Sequence, residues 1–160
     1  MPDMLVRLYA LPPLADAVAA CAARGVAVRR ALVPEKPAVL DVVSANFPAW
    51  TAEVETAFSR APVSCFIAVR GGDVVGFACH DVTCRNYFGP EGVAAGERGR
   101  GTGRALLLSA LHAQREQGYA YAIIGGVGPA EFYAKAVGAV AIADSTPGIY
   151  AGMLLRTPAG

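Results

Sequence analysis

The sequence predicts one mixed α/β domain, a sheet with a hairpin at its middle and helices packed against it. Three observations carry that expectation. Strand-like and helix-like segments alternate along the chain with no linker between them. Two apolar β-rich runs, residues 65–70 and 74–79, flank the turn Gly71-Gly72-Asp73, which marks a hairpin. Residues 102–117 form the clearest amphipathic helix and stop at Gly118. A chain of 160 residues has the size of one domain and can bury a core of its own.

Taken in order, residues 5–9 read as a strand stopped by Pro12-Pro13. The alanine-rich residues 14–24 read as a helix closed by Gly25. Residues 26–32 read as a second strand, and 35–46 as a helix with Pro37 in its first turn. Pro48 opens a helix running to about Ser59. After the hairpin a strand is expected between Tyr87 and Ala95, where Gly89, Pro90 and Gly92 imply a bulge or an unpaired stretch. The helix at 102–117 places Leu107 and Leu111 on one face and leaves Arg104, Arg115 and Glu116 to solvent. Residues 121–124 are short and apolar, as a buried strand is. Pro129 opens a helix through Lys135, closed at Gly138. Residues 140–142 and 150–155 are weaker strand candidates, separated by the turn Ser145-Thr146-Pro147-Gly148.

Composition excludes several classes. Hydrophobic residues at 54% and charged residues at 17% do not describe a disordered chain. Fourteen basic residues against 13 acidic ones leave a net charge of +1, which gives no electrostatic case for a nucleic-acid partner. No run reaches the about 18 apolar residues of a membrane-spanning helix. The start, Met1-Pro2-Asp3-Met4, lacks the basic and apolar regions of a signal peptide, so a cytoplasmic protein with no membrane partner is expected. Cys21, Cys65, Cys79 and Cys84 form no CxxC pair and read as buried reduced thiols, with no disulfide and no metal site.

The densest chemistry lies in Arg98-Gly99-Arg100-Gly101-Thr102-Gly103-Arg104, between a strand and the best helix. Its glycines let the backbone approach a ligand and turn N–H groups inward. The helix that follows starts with unpaired N–H donors and a positive dipole end. With three arginines alongside, the product is a cradle for a di-anion such as a pyrophosphate. The P-loop pattern fails because Gly103 is followed by Arg104-Ala105 in place of Lys-Ser/Thr. The dinucleotide pattern fails at Leu106, where its third glycine belongs.

This segment resembles the Gln/Arg-x-x-Gly-x-Gly/Ala loop of the GNAT superfamily of acyl-CoA-dependent N-acetyltransferases, through Arg98, Gly101 and Gly103. Val93 precedes it where that family ends its fourth strand in an aliphatic residue, and Leu106-Leu107-Leu108 continue the helix. Phe132-Tyr133-Ala134-Lys135-Ala136-Val137-Gly138-Ala139 resembles the family's second landmark, Phe-Tyr-x-Lys-x-Gly-Phe, with Val137 inserted and Ala139 in place of the last aromatic. An asparagine common in the family falls at Gly126. The resemblance covers residues 26–155. It implies a single GNAT-like domain over 1–160, with a central, mostly antiparallel mixed sheet flanked by helices and residues 1–25 as an N-terminal strand-helix extension.

The resemblance also implies a mechanism. Acetyl-CoA would lie between two splayed strands, with its pyrophosphate on Arg98, Gly99, Arg100, Gly101, Thr102, Gly103 and Arg104. Its pantetheine arm would pair with backbone at Val93 and Ala95, and Gly126 would contact it through backbone. An N–H near Ala94 would polarise the thioester carbonyl. The acceptor, a primary amine of a small molecule or peptide, would attack directly in a ternary complex, and no metal is needed. Tyr133 would protonate the departing thiolate, a phenol of pKa about 10 facing a thiol of about 8.5. Glu91, Asp81 and His80 are the candidate bases, and strand alternation puts His80 and Asp81 on opposite faces. Glu91 is carried forward in that role. Trp50, Phe47, Tyr87, Phe88 and Tyr150 supply candidate walls for the acceptor, with Glu53 one helical turn from Trp50. A homodimer is compatible with such folds. The competing reading is a non-catalytic acyl-CoA-binding sensor or regulatory module.

Overall fold

A computed structural model describes residues 1–154. Its strands are β1 (Met4–Arg7), β2 (Ala27–Arg30), β3 (Cys65–Arg70), β4 (Asp73–His80), β5 (Tyr87–Val93), β6 (Tyr121–Ile124) and β7 (Val140–Ala141). Its α-helices are α1 (Leu14–Ala22), α2 (Lys36–Asn46), α3 (Thr51–Ala57), α4 (Thr102–Glu116) and α5 (Ala130–Val137). The strands form one sheet in the order β2-β3-β4-β5-β6-β1-β7. Every pairing is antiparallel except β5 with β6. The expected α/β architecture, a mixed and mostly antiparallel sheet between helices, is what the chain adopts.

The period of two along the strands divides the interior. On β3, Phe66 and Ala68 face one core with Leu106, Leu107 and Leu111 of α4. Cys65 and Ile67 face the other, with Val39 and Val43 of α2, Val54 of α3 and Phe77 of β4. Each large apolar side chain so buried contributes roughly 1.5–3 kcal/mol. Helix α4 carries more core than the sequence pattern implied. Leu106, Leu107, Leu108, Ala110 and Leu111 are all fully buried, because α1 covers a face of α4 that the sheet does not.

The differences from expectation are local, with one exception. The helix expected from Pro48 begins as a 3-10 turn, Pro48–Trp50, and continues as α3. A 3-10 turn also precedes α2, where Glu35 accepts the Leu32 N–H and pairs with Arg29. Strand β7 has two residues, and Gly148–Tyr150 is a 3-10 turn, so the strand expected at 150–155 is absent through Leu154. Leu155 lies outside the described residues. Cys21, Cys65 and Cys79 are buried, Cys84 is half-buried, and all four are free thiols. The exception is β1. Expected as part of an N-terminal extension, it lies inside the sheet between β6 and β7, with Met4 and Val6 in the core.

Two features of β5 shape the site. Ala78 opposes Glu91 and His80 opposes Phe88, so Gly89 and Pro90 together face Cys79 alone. This is the bulge the glycines and proline implied. The extra residue resets the alternation, and Phe88 and Glu91 come to the same face, toward α5. The parallel pairing of β5 with β6 ends at Tyr87–Ile123 and Phe88–Ile124. Beyond it β5 stays on β4 through Val93, and β6 departs into Gly125-Gly126. The two strands part like a V.

Candidate active site

A cleft of about 1280 Å³ runs through that V. At one end stands the start of α4. Gly101 precedes it with φ 89° and no side chain caps the helix. Its first N–H groups therefore lack intrahelical partners. Side-chain positions at Gly99 and Gly101 would meet nothing within 4 Å, so the backbone lies open to a ligand. A Cβ at Gly103 would sit 3.4 Å from Glu91 Oε1, at the closed side of the cradle. Arg98 and Arg104 line the rim, and Arg98 Nε donates to the Val93 carbonyl at 3.0 Å.

The loop is held from behind. Glu97 is buried and accepts from Arg70 Nε at 2.6 Å, with Arg24 at 3.9 Å. Arg70 above all, then Arg100 and Arg24, keep its carboxyl below the usual carboxylate range.

Beside the first turn of α4, Tyr133 of α5 meets Glu91 of β5. The phenol donates to Glu91 Oε2 at 3.5 Å. Glu91 Oε1 is shut off from solvent with no hydrogen-bond partner. Burial pushes the Glu91 carboxyl up to about 8, opposed only by the hydrogen bond from Tyr133. Burial, and then the charge and hydrogen bond of Glu91, push the Tyr133 phenol well above its ordinary value. Phe88 and Phe132 stand edge-on to the Tyr133 ring at 6.2 and 5.0 Å and fix its plane.

At the far end Trp50, Glu53, Val82, Thr83, Tyr87 and Tyr150 line the cleft. Thr83 donates its hydroxyl to Glu53. Tyr150 Oη and Tyr87 Cε1 lie 2.5 and 2.9 Å from where a Gly125 Cβ would be, so both rings close over that glycine and no side chain fits there. Beneath them is Asp3, which no sequence motif singles out. Its carboxylate accepts the Gly126 N–H at 2.9 Å and the Tyr87 hydroxyl at 3.4 Å. Chiefly through burial, with the charges of Asp3 and Glu53 adding to it, the Tyr150 phenol is pushed up to about 12.

Of the residues singled out beforehand, Trp50, Tyr87, Phe88, Glu91, Val93, Arg98, Gly99, Gly101, Gly103, Arg104, Gly126 and Tyr133 line this one cleft. Others do not. Phe47 packs edge-on to Phe77 at 5.6 Å and stacks under Trp50, so it supports the wall without forming it. The Ala94 N–H, expected to polarise a thioester, donates to the Val75 carbonyl at 2.9 Å. Ala95 begins an exposed turn. Arg100 stands outside the cleft and acts on Glu97. Thr102 is fully buried beside Arg24. The Gly126 N–H, expected to serve a pantetheine arm, is taken by Asp3. His80 and Asp81 do not split between two faces. The strand ends at His80, Asp81 turns back with φ 55°, and the two pair at 2.7 Å away from the cleft. His112, on α4, bonds to the Pro12 carbonyl at 2.9 Å.

A mixed sheet that parts at its parallel pair, over an uncapped glycine-led helix end, defines the acetyltransferase class. Residues 27–139 match the acetyltransferase (GNAT) family, and the chain belongs to it. Among solved structures it is similar to the GCN5-related glucosamine N-acetyltransferase region of a fungal multi-domain GH3 β-N-acetylglucosaminidase, with TM-score 0.72 and 16% identity over 88% of this chain and 19% of that one. It is also similar to a GCN5-related N-acetyltransferase from Sphaerobacter thermophilus, with TM-score 0.62 and 20% identity over 88% of this chain and 48% of that one. The chain thus spans less than half the length of either. At these identities the likeness is one of fold. No curated protein sequence matches the chain.

Proposed function

We propose that the protein transfers an acetyl group from acetyl-CoA to a primary amine, with both substrates held at once. The observation that carries this reading is the Tyr133–Glu91 pair, which lines the cleft where β5 and β6 part, against the first turn of α4. The uncapped, positively polarised start of α4, with Arg98 and Arg104 at its rim, fits the pyrophosphate of acetyl-CoA. Acetyl-CoA supplies the acetyl group as a thioester. Glu91 takes a proton from the incoming ammonium and frees its lone pair for attack on the carbonyl carbon. Tyr133 gives its phenolic proton to the departing sulfur, and Glu91 returns the proton it took to Tyr133. An ammonium loses two protons on becoming an amide: one reaches the sulfur through Glu91 and Tyr133, the other leaves the acylated nitrogen for water, and both side chains end as they began. The cycle starts from ionised Glu91, whose fraction grows as pH rises toward about 8, so kcat/KM rises with pH through that value. A rate that falls over the same interval refutes this role for Glu91.

Thermal unfolding with and without acetyl-CoA, followed by thiol release with a panel of amines, tests the reading. At 100 times Kd, binding stabilises by about 2.7 kcal/mol, a rise of several degrees in Tm for a chain this size. Binding without thiol release from any amine would assign a sensor. Absence of a shift would remove acetyl-CoA from the site.

Gly101→Val tests the cradle. A β-branched residue is strained at φ 89°, and here it also projects into the approach path. The acetyl-CoA shift is expected to vanish, while the backbone strain, about 1–3 kcal/mol, lowers the ligand-free Tm by several degrees without unfolding the chain. An unchanged shift would place the pyrophosphate elsewhere.

A further inference from the structure

Charged side chains are few in the cleft and unevenly placed. Among the described residues, the cationic side chains lining it are Arg98 and Arg104, both at the α4 end. Its carboxylates are Glu91, against the first turn of α4, and Glu53, beside Thr83 and away from both arginines. Glu53 is half-buried on α3, is held by the Thr83 hydroxyl, and has no cation within ion-pair reach among the described residues. One helical turn before it, Trp50 offers its ring to the same space, stacked on Phe47 at 5.3 Å with 12° between planes. A fixed aromatic face beside a lone carboxylate is a site for a cation, which gains from the ring quadrupole and the charge together. The Tyr87 and Tyr150 rings, closed over Gly125, line the same cleft. They offer a wall suited to methylene groups.

Building on the amine-acetylation reading above, we propose that the acceptor carries two cationic groups on an aliphatic chain. One amine reacts beside Glu91 and Tyr133, and the second is gripped by Glu53 and the face of Trp50. Asp3 is buried behind the Gly126 N–H and the Tyr87 hydroxyl and does not line the cleft. Glu53 is then a specificity residue, which selects the acceptor and takes no part in proton transfer.

The test is thiol release from acetyl-CoA with linear α,ω-diamines, diaminobutane to diaminooctane, each against the monoamine of the same chain length. The wild type is expected to favour the best-fitting diamine by about tenfold or more in KM, the worth of one charge-assisted contact. Glu53→Gln brings the diamine-to-monoamine ratio to about one, with the loss in KM and little change in kcat. Glu53→Asp restores part of the preference. Should Glu53→Gln fold poorly, Trp50→Leu serves as the second variant and lowers the same ratio. Equal KM for diamines and monoamines in the wild type, or equal loss of both in Glu53→Gln, overturns the proposal and leaves amine acetylation standing. Failure of every amine to release thiol, while acetyl-CoA still raises Tm, overturns both.

Discussion

Replacing Tyr133 by Phe is expected to lower kcat by about a hundredfold or more while acetyl-CoA binding persists. The magnitude is that of one positioned proton donor. The phenol is nearly buried, and its ring is fixed by Phe88 and Phe132, so Phe keeps the packing and removes the hydroxyl alone. The high pKa of the phenol suits a donor that stays protonated until a thiolate forms beside it. Acetyl-CoA affinity, read from the Tm shift, separates this loss from a binding defect. A variant that keeps full kcat would remove Tyr133 from the proton path.

Replacing Glu91 by Gln is expected to act twice, with opposite signs. Activity falls by a factor on the order of a hundred to ten thousand, because the amide cannot accept the ammonium proton. Stability rises. Burial lifts the Glu91 carboxyl to about 8, so the folded chain favours the neutral form. As pH climbs from the ordinary carboxylate range to that value, the unfolded chain releases a proton that the folded chain still holds, and the wild type progressively loses stability. The amide escapes that cost. The Tm advantage of Glu91→Gln should be small near pH 5 and grow toward pH 8, and a constant difference would show that the carboxyl is not perturbed. An enzyme more stable without its base is what a strained catalytic group predicts.

Much of the sheet and the cradle was legible because local rules dominate there. The hairpin at Gly71-Gly72, the end of α4 before Gly118, the stop of α5 at Gly138 and the bulge at Gly89-Pro90 all follow from backbone preferences of single residues. The start of α4 was legible for the same reason, since glycines mark a close approach whatever the partner is. Long-range partners were not legible. Nothing near Asp3 in the sequence announces Gly126 or Tyr87. Ala94 looked like a free donor until β4 was found to use its N–H. Phe47 and Trp50 are both aromatics near one helix start, and only the packing of Phe47 against Phe77 decides which of them faces the cleft. The His80–Asp81 argument failed at one residue, because alternation holds only while the strand continues.

The central place of β1 has a consequence for the order in which the molecule is made. Asp3 reaches across 123 positions to the Gly126 N–H, and β6 and β7, the two neighbours of β1, come late in the chain. During synthesis this strand must wait, exposed and unpaired, until most of the chain has followed it. Contacts this distant are slow to close, and the hairpin and α4 can settle first. The floor of the cleft is therefore assembled last. The Asp3 contacts to Gly126 and Tyr87 form only when β1 meets β6, so a growing chain can hold the open start of α4 well before the other end of the cleft is complete.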